Sequence, residues 1–303
     1  MTGSGTGTLV AAGEQSFMGN LVGAPDLFEM GRDPTISELN LENQLRRLRQ
    51  PDSAWTVESV KGNFQGAIGI EAVVSEDVHT QVEDQLVLNG TDTIEPGVST
   101  SGRIFAGVNY PTGTAEEEYF GCIPLEYQPL GYTQGDDVRY SLTMAYAKQE
   151  SDPTEDLTTA TQVSDGSTVA WHGVDLQIDG TTVSDLQEAT LSMSSLSRFQ
   201  YGLDSVPNRG VTAAPEASLD VNATFVEESR LDRAKGGQST TSDTLPSVSG
   251  QITLTPPSGT VLRTYALAKL KPDTYSWNEI IGTEDANDQT TFNVDGEPAV
   301  TIT

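Results

Sequence analysis

The chain has 303 residues, a formal net charge of −28 from 44 acidic against 16 basic side chains, and a hydrophobic share of 36%. That apolar content excludes a disordered acidic tail, and the charge excludes a strong phosphate binder, which needs clustered Lys and Arg. The lone cysteine, Cys122, excludes an intrachain disulfide and a thiolate-rich metal site. What remains is a folded chain with an acidic surface. Adaptation to high salt is the leading reading of that surface, because screening removes its self-repulsion. Cation binding is a second reading. Avoidance of nucleic acid is a third, compatible with the first.

In chain order, the opening "MTGSGTGTLVAAGEQSFMGN" has neither a basic n-region nor a long apolar core, so no signal peptide is expected. No stretch reaches the roughly 18 apolar residues of a membrane helix, and the expectation is a protein made in the cytoplasm with no membrane partner. Residues 1–26 read as an N-terminal arm. "TISELNLENQLRRLRQPDS" from Thr35 then gives an alternating run, an arginine cluster and Asp-Ser. "AIGIEAVV" alternates apolar with small or polar residues, the period of a half-buried strand. In "SEDVHTQVEDQLVLNG", Val78, Val82 and Leu86 recur every four residues on one helical face, and Gly90 marks the stop.

"VSTSGRIF" from Val98 opens the next strand. The polar stretch from Lys148 to Ser167, broken by Pro153, is the expected join, with 151–167 as linker. Beyond it, "LQIDGTTVSDL" sets Asp179-Gly180 between two alternating runs, a strong hairpin signal. "ASLDVNATF" has strand period again, "EESRLDRAKGG" is a short helix closed by Gly236-Gly237, and "SGQITLTPPSGTVLRTYALAKL" gives strand, turn, strand.

These elements come twice in the same order. Ile36 to Leu39 lines up with Val183 to Leu186 at an offset of 147, and Leu45 and Arg47 with Leu196 and Arg198 at 151. Asp52-Ser53 faces Asp204-Ser205 at 152, while Ile68, Ile70 and Val74 fall on Leu219, Val221 and Phe225 at 151. Ser101-Gly102 corresponds to Ser249-Gly250, Pro111 to Pro257, Tyr119 to Tyr265, and "YSL" at Tyr140 to "TTF" at Thr290. Matches in one order with slowly drifting offsets indicate a tandem duplication. Each copy reads as a small β-sandwich or open barrel with one helix laid on it.

The repeated order (a strand ending near Leu-x-Arg, a long connection, an aliphatic/small strand, an acidic helix start, and Ser-Gly opening the next strand) resembles the tail tube proteins of long-tailed, siphovirus-like viruses. The resemblance covers both halves, at 27–150 and 168–303, and rests on element order. It implies a mainly β fold of two tandem, duplicated tail-tube-type domains, each with one short α-helix. It further implies rings of six domains stacked into a conduit for viral DNA, here made by three chains with pseudo-sixfold symmetry. The partners would be other copies of the chain, other tail proteins, and DNA that passes without specific binding. The location would be the virion tail. Acidity and the preference for arginine over lysine add a host among salt-loving archaea.

By position, the long connections become ring-stacking loops. The candidates are Arg46, Arg47, Arg49, Asp52 and Trp55 in the first copy, and Arg198, Tyr201, Asp204 and Arg209 in the second. The tube-wall strands would carry Ile68, Ile70 and Val74, and Leu219, Val221 and Phe225. An acidic bore would repel the duplex and let it slide.

Chemistry-bearing motifs are sparse. The two histidines, His79 and His172, have no partner motif, and there is no nucleophile elbow, P-loop or zinc-protease signature. Glu116 to Glu118 and Asp136-Asp137 lack the spacing of a defined cation loop and read as solvated turns. Cys122 reads as a small buried apolar residue. The expectation is therefore no catalysis, no metal and no cofactor. Rival readings are another tail component (terminator, distal tail or baseplate hub) and a haloarchaeal cell-surface binding sandwich.

Overall fold

The structure, a computed structural model, describes residues 7–22, 27–42, 46–49, 56–60, 63–110, 113–151, 153–154, 162–163, 166–226, 228–237, 241–278 and 286–303. The chain is mainly β, with 61% in strands and 7% helical. The first half contains β1 (Gly7–Gly13), β2 (Leu27–Glu29), β3 (Arg32–Glu42), β4 (Arg46–Arg49), β5 (Thr56–Val60) and β6 (Gln65–Val73). Helix α1 (His79–Val82) follows and widens into a π-turn over Glu83–Val87. Then come β7 (Gly102–Tyr110), β8 (Gly113–Thr133), β9 (Arg139–Tyr146), β10 (Lys148–Glu150) and β11 (Gln162–Val163).

The second half contains β12 (Val174–Ile178), β13 (Thr181–Thr182), β14 (Leu186–Ser194), β15 (Ser197–Tyr201), β16 (Pro207–Thr212) and β17 (Glu216–Thr224). Helix α2 (Ser229–Ala234), β18 (Val248–Leu254), β19 (Arg263–Asn278) and β20 (Asn287–Ile302) complete it.

Local sequence accounts for most of these elements. In β14 and β17 the apolar side chains Leu191, Met193, Leu219 and Val221 are buried while their neighbours are half-exposed, as a two-residue period requires. Asp179 and Gly180 both have positive φ, 57° and 71°, and close the β12–β13 hairpin as a two-residue turn. The Val78, Val82 and Leu86 stripe is fully buried on the core side of the first helix.

Sixteen of the strands form one branched sheet, and β4–β5 and β15–β16 form two separate two-stranded sheets. In the first half, β3, β6, β9 and the C-terminal part of β8 lie side by side, while the N-terminal part of β8 pairs β7, which pairs β1. In the second half, β14, β17, β20 and the C-terminal part of β19 repeat that order, and the N-terminal part of β19 pairs β18, which pairs β12. The long strands β8 and β19 each serve both groups, with register shifts after Pro124 and after Pro272. The halves join where β14 pairs antiparallel with β8, Met193 opposite Tyr127 and Leu191 opposite Leu130.

Several expectations change. The N-terminal segment is not an arm: β1 is paired with β7 along its whole length, Ala11 opposite Ile104, as β12 is with β18, Leu176 opposite Ile252. Its "LVAA" run lacks alternation because Val10, Ala11 and Ala12 are all buried. Of the expected linker, Gln162–Val163 forms a parallel bridge to β2, and most of the rest lies outside the described residues. The halves do not close on separate cores, since one cluster runs from Ala11 and Phe28 through Val82 and Tyr127 to Tyr265 and Ile302.

Two sequence pairings shift as well. Ile36 opposes Ile70 as Ala189 opposes Val221, so Ala189 rather than Val183 is its counterpart. Leu142 opposes Ile70 as Thr290 opposes Val221, which moves that match by two residues from Phe292. β-Bulges change the count along a strand without changing its neighbours.

Candidate functional site

Two of the strand edges left open among the described residues carry large apolar side chains. Among the described residues β3 pairs only with β6, and the Lys271–Asn278 part of β19 only with β20. The residues on β3 show what an open edge does. Ile36, Leu39 and Leu41 are 44%, 50% and 49% exposed, whereas their counterparts on β14, Ala189, Leu191 and Met193, are 2%, 0% and 4% exposed. On the other edge Trp277 is 44% exposed and Tyr275 half-buried, whereas Tyr127, the counterpart of Tyr275, is sealed. An unpaired edge carrying large apolar side chains is a template for another strand.

Each half also projects a two-stranded hairpin between equivalent strands. In β4–β5, Arg46 opposes Val60, Arg47 opposes Ser59 and Arg49 opposes Thr56; Asp52 and Trp55 lie outside the described residues. In β15–β16, Arg198 opposes Val211 and is exposed, Asp204 is exposed near the tip, and the exposed Arg209 donates from Nε to Gln200 Oε1 at 2.6 Å. Tyr201 is turned back toward the first half, donating its hydroxyl to the Phe64 carbonyl at 2.9 Å. Leu203 at the tip is fully exposed, a feature the sequence reading passed over.

The wall-strand candidates are split by the pleat. Ile68, Ile70, Val74, Leu219 and Val221 point into the core, and Phe225 packs edge-on against Trp277 with centroids 5.5 Å apart. The opposite face of those strands carries Ala67, Gly69, Glu71, Ser218, Asp220 and Asn222, continued by Thr143 on β9 and Thr190 on β14. That face is mostly small and polar; it also carries Glu126, Glu188 and Asp220, and Arg139, whose Nε lies 2.6 Å from Glu71 Oε1. It is polar, with more carboxylates than cations.

Inside, arginines meet buried carboxylates. Glu83 accepts from Tyr127 and Tyr265 hydroxyls at 2.7 Å each and from Arg263 Nε at 2.7 Å, while Arg263 also pairs with Asp84. His79 Nε2 lies 3.1 Å from the Tyr265 hydroxyl, and its Nδ1 has no partner among the described residues. Burial raises the Glu83 carboxyl, but His79, Arg263 and the Tyr127 donor outweigh it and bring it down to about 2. Burial and Glu83 push both phenols well above their ordinary value, keeping them as donors.

A second network joins Arg103 to Glu14 at 3.2 Å and to Glu118 at 2.9 Å, with burial pushing the Glu14 carboxyl up against the pull of Ser101, Arg103 and the Met18 amide. A third joins Arg230 to both oxygens of Asp288, at 2.6 and 2.8 Å. His79 and Glu83 are fully buried, so this chemistry is turned inward. Among the described residues no group of three or more His, Cys, Asp and Glu side chains is placed to hold a metal ion. His172 sits with Trp171 on the short 3-10 turn Trp171–Gly173, and Cys122 is buried. Among the described residues no helix is long and apolar enough to cross a membrane.

No protein-family model and no curated protein matches this sequence.

Proposed function

We propose that this chain is a structural subunit of a virus tail tube, with two tube units per chain and three chains per ring. Stacked rings would form the conduit through which viral DNA passes. The observation that carries this reading is the β8–β14 junction, where one copy of a repeated unit adds its edge to the next copy within a single chain. A junction between unlike edges, repeated head to tail, closes into a ring when its rotation divides a full turn. Closure would also remove the two open, apolar edges, which a free chain leaves as an aggregation hazard.

Other features support the same reading. The hairpins β4–β5 and β15–β16 stand at equivalent places, as contacts to an adjacent ring or to other tail proteins require. The face opposite the core offers DNA hydroxyls, amides and a few carboxylates rather than a basic footprint, so the duplex would slide without specific binding. The net charge of −28 fits assembly in a salt-rich host cytoplasm, where screening is strong.

Negative-stain imaging with mass measurement of the purified protein in molar salt tests the proposal. Rings or tubes whose mass is a multiple of three chains are expected. A chain that stays monomeric in every salt, with or without tail-tip proteins, overturns it.

A further inference from the structure

The internal junction specifies how two chains would meet. Two equivalences fix the register. Tyr127 and Tyr275 each follow a proline-marked register shift and oppose Leu142 and Thr290, which in turn oppose Ile70 and Val221. Leu41 opposes Gly66 as Met193 opposes Ala217 on the matching strand. Within the chain, Met193 opposes Tyr127.

We infer that the Lys271–Asn278 edge of one chain pairs antiparallel with β3 of a second copy, Tyr275 opposite Leu41. This deepens the ring reading and rests on it. The side chains fall where the inference needs them: the exposed Leu39 and Leu41 on one edge, the half-buried Tyr275 and exposed Trp277 on the other, at or beside positions that are sealed in the internal junction. A second contact transfers in the same way. The β15–β16 hairpin is held by the first half through the Val98–Val211 bridge, with Ser99 N donating to Gly210 O and Thr212 N to Gly97 O. Its counterpart sets the β4–β5 hairpin of the second copy beside residues 244–247 of the first, where Leu245 is 42% exposed. Both contacts are heterologous, so each copy offers one edge and receives the other.

Cysteine pairing tests the register. Side chains directly opposite across an antiparallel pair have Cβ atoms about 4.5–5.5 Å apart, close enough to oxidise to a disulfide with small adjustment. Chains carrying Leu41→Cys mixed with chains carrying Tyr275→Cys should give covalent dimers. The doubly substituted chain should give closed covalent trimers. Ile36→Cys with Tyr275→Cys is the off-register control, expected to link at least tenfold less; the native Cys122 is buried and stays silent. Rings that form but link equally well through position 36 overturn the register and leave the tube reading standing. Absence of any assembly overturns both. Leu39→Lys provides an independent arm, since Leu39 is half-exposed in the single chain: an unchanged far-UV spectrum with loss of rings is expected, and rings that survive it overturn the pairing.

Discussion

Leu39 on β3 and Leu191 on β14 occupy matching places in their halves, one opposite Ile68 and the other opposite Leu219. The first is 50% exposed and the second 0%. Residue type and strand are the same; the difference is the neighbour, because β8 covers the edge of β14 and β3 has no strand beyond it among the described residues. The same contrast runs through the tyrosines. Tyr127 is sealed and donates to Glu83, and its counterpart Tyr275 is half-buried and donates to Asp288 at 3.2 Å. Each half thus holds a Tyr–carboxylate–Arg group, but they are wired differently. In the first, Arg263 comes from the other half and reaches across the junction to Glu83; in the second, Arg230 on α2 meets Asp288 on β20 within one half. The lesson is that the two halves share a strand framework, and the position at a join or at an open end sets the side-chain network.

The largest test of this comparison is Arg263→Met. It takes the arginine from the buried Glu83 carboxylate and leaves His79 as the basic group beside it, and breaking such a buried pair costs about 3–5 kcal/mol; urea unfolding in high salt would measure it. The loss should depend on pH. The folded pKa of Glu83, about 2, lies below its ordinary 4.5, so its contribution is complete above that ordinary value and fades as pH falls toward 2. The gap between variant and parent should therefore narrow on acidification, and a gap that stays constant from neutral pH to pH ~2 would show that Glu83 is not the group affected.

Next comes Leu191→Ala against Leu39→Ala. The first removes a fully buried side chain and should cost about 2–5 kcal/mol, the second under about 1 kcal/mol in a non-assembled chain. Equal losses would mean that the β3 edge is covered within the single chain after all. The smallest effect expected is for Tyr127→Phe against Tyr275→Phe. Removing a donor to a buried, charged carboxylate costs about 1–3 kcal/mol, whereas the half-buried phenol should cost about 1 kcal/mol or less. A reversed order, read from thermal unfolding, would break the equivalence drawn between the two sites.

Much of the framework was legible in the residues themselves. The offset of 151 that links Leu45 with Leu196 and Ile68 with Leu219 also links the start of β4 with β15 and of β6 with β17. Asp179-Gly180 announced its turn because few residue pairs accept two positive φ angles in succession. The Val78, Val82 and Leu86 stripe announced a helix face. Other parts were hidden for definite reasons. Strand β1 carries no alternation, being buried along Val10 to Ala12, and bulges in β3, β8 and β19 displaced matches that were aligned by residue count.

The candidate site was the least legible part. Leu39, Leu41, Tyr275 and Trp277 are ordinary strand residues by type, and no local pattern distinguishes a strand that will be covered from one that will be left at an edge. The Glu83–Arg263 pair joins residues 180 apart in sequence and belongs to no motif. Strand period, turn chemistry and helix stripe depend on neighbours a few residues away, and for them the sequence was sufficient by itself. Which edge meets which, and which carboxylate receives an arginine in the core, depends on long-range pairing across the two halves. Only the tertiary structure decides those, because burial is a property of what lies opposite and not of the residue buried.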